Sequence, residues 1–155
     1  MGVWIVRMVS RVHIYVDGTG GTGDQGGAAC GFAVLAVYDD DSYGLVGYFG
    51  APITADAEAH EYLAATKLSS GVAEMCGLTW VSLWVLQAGD VLRSDVEITV
   101  WYDCMYAANI AAAAATPRVN KGVASLNSGL YGLCSRKYDI RLAHVRAHAG
   151  HPWNE

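Results

Sequence analysis

The sequence predicts a mixed α/β fold, a single sheet that begins with three antiparallel strands and continues through helical crossovers. Three observations predict it. Apolar runs of strand length stand at 11–17, 30–39 and 42–53, separated by turn-forming residues. A long apolar stretch with a helix N-cap signal follows at 69–89. Two further strand-like runs, 95–103 and 138–148, bracket alanine-rich helical sequence.

Each element has a local reason. Residues 11–17, RVHIYVD, alternate apolar and polar and run into the Gly-rich turn Gly18 to Gly27. CGFAVLAVYD ends at the turn Asp39-Asp40-Asp41-Ser42, and SYGLVGYFGAPI follows, so short turns join three strands into a meander. Segment 54–68 reads equally as a loop with a short strand or as helical turns. Ser69-Ser70 caps a helix, GVAEMCGLTWVSLWVLQ, that ends at Gly89. So few of its residues are polar that both faces are expected to be covered. DVEITVWYD is a fourth strand. MYAANIAAAAA after it reads as a helix ended by Pro117. Residues 121–135 form a further short helix, and YDIRLAHVRAH is the last strand. The order is β-β-β-α-β-α-α-β, with five strands.

A chain of 155 residues fits one domain, 1–155, and buries a real core. Hydrophobic residues at 53% and charged residues at 16% exclude a disordered chain. A net charge of −5 runs against phosphate-backbone binders, which are usually basic. The basic residues bunch late, however: Arg136, Lys137, Arg141 and Arg146, with His144, His148 and His151 near them. A locally basic face and a plain solvated surface both remain open. Cys30, Cys76, Cys104 and Cys134 show no zinc-type spacing, which points to a reduced, intracellular setting. No apolar run is long enough to cross a membrane, and the N-terminus has neither signal-peptide nor myristoylation pattern.

The chemistry rests on three carboxylates. Asp17, Glu74 and Asp103 each sit in apolar sequence with no lysine or arginine close by. Burying such a group is costly without compensating charge, and a metal ion supplies it. Each also has a structural reading. Asp17 opens a turn with Gly18, Asp103 caps the helix that follows, and Glu74 is a solvated helix position.

Read in order, the motifs resemble the ribonuclease H family. Asp17-Gly18-Thr19 resembles its strand-borne Asp-Gly-Ser/Thr, Ala73-Glu74 its helix-borne Ala-Glu, and Asp103-Cys104-Met105-Tyr106 its Asp-Ser-x-Tyr. Gly31-Phe32-Ala33 matches the second strand, and His148-Ala149-Gly150-His151-Pro152 resembles the late His-x-Gly loop. The resemblance runs from about residue 11 to the end, in a style similar to retroelement-associated domains. It implies an RNase H-like five-stranded fold and a Mg²⁺-dependent endonuclease, with Mn²⁺ as a substitute. Such an enzyme cuts the RNA strand of RNA–DNA hybrids to 3′-hydroxyl and 5′-phosphate ends. Two hard cations about 4 Å apart activate water on one side of phosphorus and stabilise the leaving oxygen on the other. Asp17 is the implied central ligand, flanked by Glu74 and Asp103. His148 is the implied proton-transfer or product-release residue, with His144 and His151 as rivals.

The family reads the hybrid through its minor groove and 2′-hydroxyls. The resemblance implies substrate contacts at Gly18, Thr19, Ser70, Gly71 and Met105. Ser69, Ser70 and Gly71 stand where the family often has Thr-Asn-Asn, and Met105 where glutamine is common, which reduces hydrogen-bonding capacity. The basic, Trp-rich handle of some relatives has no counterpart; Trp80, Trp84 and Trp101 read as packing residues. Relatives continue Asn-Glu-x-x-Asp, the aspartate being a fourth metal ligand on a C-terminal helix, whereas the sequence here reads Asn154-Glu155. The expectation is therefore a domain lacking that helix, from a reverse-transcriptase polyprotein. A catalytically weak or inactive fragment, serving as a structural or nucleic-acid-binding module, is the alternative. A transposase-like nuclease fits the His-Ala-Gly-His loop less well.

Overall fold

The computed structural model describes residues 7–20, 27–89, 92–93 and 95–146. Eight elements follow in the expected order. They are β1 (Val9–Gly20), β2 (Ala28–Tyr38), β3 (Tyr43–Ile53), α1 (Ser70–Ala88), β4 (Glu97–Tyr102), α2 (Met105–Ala111), α3 (Lys121–Lys137) and β5 (Ile140–His144). The sheet order is β3-β2-β1-β4-β5. β1, β2 and β3 pair antiparallel, while β4 joins β1, and β5 joins β4, in parallel.

The alternation in β1 decides which face is covered. Val12, Ile14 and Val16 are buried and point at α1, opposite Ala36, Val34 and Phe32 of β2. The intervening His13 and Tyr15 lie on the other face. There Trp101 stacks against both rings and donates its indole N–H to Nδ1 of His13 at 2.9 Å. Helix α1 begins where expected: the Ser69 hydroxyl accepts from the Val72 N–H. It is buried almost continuously from Val72 to Val85 because β1 and β2 pack on one side and α2 and α3 on others. Trp80 packs on Phe49 and Trp84 on Phe32, so both are packing residues.

Two segments differ from the sequence expectation. Segment 54–68 contains neither strand nor helix; it is a string of turns. Its end is held by Asn120, whose Oδ1 accepts from the Thr66 N–H, the Thr66 hydroxyl and the Lys67 N–H at 3.1, 2.9 and 3.1 Å. The alanine-rich helix stops at Ala111, well short of Pro117. Ala113 takes the left-handed conformation, φ 57°, and its N–H bonds to Ile110 while that of Ala114 bonds to Asn109. This pair of bonds is a Schellman motif, which satisfies the last carbonyls and turns the chain out of the helix.

Candidate functional site

The carboxylates converge at the C-terminal ends of the two central parallel strands. Asp17 lies near the end of β1, Asp103 follows β4, and Glu74 projects from the second turn of α1. Their ligand oxygens all lie within 4.8 Å of one another. Asp17 is exposed, Asp103 half-buried and Glu74 buried at 8% relative exposure.

Glycines make this convergence possible. A Cβ on Gly18 would stand 2.5 Å from the backbone of Ala73 and Glu74. One on Gly20 would stand 2.4 Å from the backbone nitrogen of Ser70. Helix α1 thus crosses the end of β1 with backbone against backbone, which only glycine permits. The Gly18 N–H then bonds Oδ1 of Asp17 at 2.8 Å and also reaches the Glu74 carboxylate.

Burial, then the nearby Asp103 and Asp17 carboxylates, push Glu74 up to about 8. Three acids this close repel one another, and one dication relieves that repulsion and replaces the lost hydration together. The oxygen-only donor set fits a hard cation such as Mg²⁺ or Mn²⁺. The arginines Arg7, Arg11, Arg93 and Arg141 are committed elsewhere, to Asp40, Asp41, Asp95 and Glu97. Burial pushes Cys30 up to about 12 and Cys76 up to about 11 and also raises Cys104.

The other expected residues fall into three groups. Thr19, Ser70 and Met105 are exposed beside the carboxylates, and Gly71 is half-buried. The Met105 thioether accepts from the Tyr102 hydroxyl at 3.6 Å. His148, His151 and Glu155 lie outside the described residues, while His144 ends β5 with its ring edge-on to Tyr102. Sequence reasoning missed Gly20 as a crossing residue. It also gave no role to Tyr106, whose ring lies about where a side chain on Gly71 would reach, 3.5 Å from that Cβ position. Its signal was the tyrosine three positions beyond Asp103 in the Asp-Ser-x-Tyr resemblance.

No protein-family model matches the sequence, and no curated protein matches it. Solved structures do. The chain is similar to RNase H1 from the halophilic archaeon Halobacterium salinarum NRC-1, with TM-score 0.55, 20% identity, and 88% of this chain and 86% of that one covered. It is similar to LC11-RNase H1, isolated from compost and solved in complex with an RNA/DNA hybrid. There the TM-score is 0.55 and the identity 17%, over 87% of this chain and 85% of that one. A third similarity is to the protease–reverse transcriptase of prototype foamy virus, with TM-score 0.61 and 14% identity, over 92% of this chain and 18% of that one. Strand order, crossovers and these likenesses agree: the chain has the ribonuclease H fold.

Proposed function

We propose that this chain is a metal-dependent endonuclease of the ribonuclease H type, hydrolysing the RNA strand of RNA–DNA hybrids. The observation that carries the reading is the meeting of Asp17, Glu74 and Asp103 at the strand ends of this fold. Divalent cations bound there, Mg²⁺ in two positions or Mn²⁺ in its place, would supply charge for activating water and stabilising the leaving oxygen. Asp17, the exposed member of the three, would be the central ligand. Glu74 and Asp103 flank it, Glu74 fixed by the helix and Asp103 by the end of β4. Exposed Thr19, Ser70 and Met105, with Gly18 and Gly71, border the path of the hybrid. His148 takes the proton-transfer or product-release role, and His148→Ala slows turnover without abolishing it. The likeness to one part of a viral protease–reverse transcriptase supports a place within a larger polyprotein.

The test is cleavage of a labelled hybrid in Mg²⁺ or Mn²⁺ against EDTA, with duplex RNA and duplex DNA as controls. Metal-dependent cutting of the hybrid's RNA strand, leaving 3′-hydroxyl ends, is expected, and Asp17→Asn abolishes it while the fold is kept. A folded chain that binds the hybrid without cutting it is instead a nucleic-acid-binding module. Undiminished activity in Asp17→Asn removes the metal-site assignment.

A further inference from the structure

The two edges of the sheet are built differently. β5, at one edge, is five residues long and carries Arg141 and His144, the short and charged design that keeps an edge from pairing. β3, at the other, runs for 11 residues, YGLVGYFGAPI, without one charged side chain. Its hydrogen-bonding groups on the side away from β2 face no described element. Tyr43 at 68% and Tyr48 at 82% are the most exposed large apolar residues of the described chain, and Leu45 and Val46 stand exposed between them.

Charge at the ends of β3 selects the occupant. Asp39 lies just before the strand and has no ion pair among the described residues. Asp56, Glu58 and Glu61, all exposed, follow it. Asp40 and Asp41 are neutralised by Arg7 and Arg11, so a second copy pairing antiparallel about a two-fold axis would set the uncompensated Asp39 of one chain beside Asp56–Glu61 of the other, where like charges repel. We propose that the outer edge of β3 receives an extended segment of another polypeptide, apolar at its centre and basic at both ends, as a sixth strand. Main-chain hydrogen bonds supply the attraction, the exposed tyrosines receive alternate side chains, and the acidic ends fix the register. This edge is separated from β1 by β2, so peptide binding and hybrid cleavage report on different surfaces.

The probe is a fluorescent peptide of alternating valine and threonine, of the same length as β3, with lysines at both ends, titrated into the full chain. Saturable binding is expected, with amide shifts concentrated in 43–53. Replacing the lysines by glutamates weakens it at least about tenfold, through the end charges. Glu58→Lys with Glu61→Lys weakens the lysine peptide in the same sense, at sites too exposed to disturb folding. Methylation of alternate peptide amides abolishes binding. Equal affinity for both peptides, or shifts outside 43–53, overturns the proposal. So does a concentration-dependent dimer that Tyr48→Lys dissolves, which would make a second copy the occupant.

Discussion

Glu74 shows most directly how one side chain is shaped by its setting. Its value of about 8, against 4.5 for a free glutamate, means the folded metal-free chain holds that proton more tightly than the unfolded chain does. Its contribution to stability is therefore complete below about 4.5 and is lost as pH rises through about 8. Without metal, the melting temperature falls across that window, and Glu74→Gln melts higher than the parent at pH 8. Mg²⁺ reverses the order, raising the parent and leaving the variant nearly unchanged. Thermal melts in EDTA and in Mg²⁺ at pH 5 and pH 8 check all of this. Of the site, Asp17, Glu74 and Asp103 were legible in the sequence because a lone acid in apolar sequence is conspicuous. Gly20 was not, because its role consists of a contact with Ser70, distant in the chain.

At the scale of elements, the crossing of α1 over β1 and the stop of α2 carry the predictions. Gly18→Ala forces a methyl into the backbone of Ala73 and Glu74 and is expected to cost about 3 kcal/mol, at the upper end for overpacking. Urea denaturation measures it. Ala113→Gly removes the left-handed penalty at the end of α2 and is expected to stabilise by about 1 kcal/mol, read as a raised urea midpoint. The helix end was misread because alanine is the best helix former and Pro117 the obvious terminator. A Schellman turn with alanine in place of glycine leaves no mark in sequence.

Across the whole molecule, Asn120 ties distant parts together. It binds Thr66 and Lys67, more than fifty residues away, and so fixes the loop that leads into α1 against the start of α3. Its own backbone is left-handed, φ 54°, which asparagine tolerates. Asn120→Gly keeps that freedom and loses the three bonds. It is expected to destabilise by about 2 kcal/mol in urea, because the partners are only partly shielded from water. A cost near zero would show that water replaces the amide.

The sequence by itself determined the eight elements, their order and the identity of the three acids. Period-two and continuous apolar runs, a serine cap and acids stranded among apolar residues are local signals. Only the tertiary structure decided that α1 approaches β1 closely enough to bring Asp17, Glu74 and Asp103 within 4.8 Å. It alone decided which strand edge is left open and what holds 54–68. Those are matters of distance between chain segments, and a periodicity read along one segment carries no information about how near another will come.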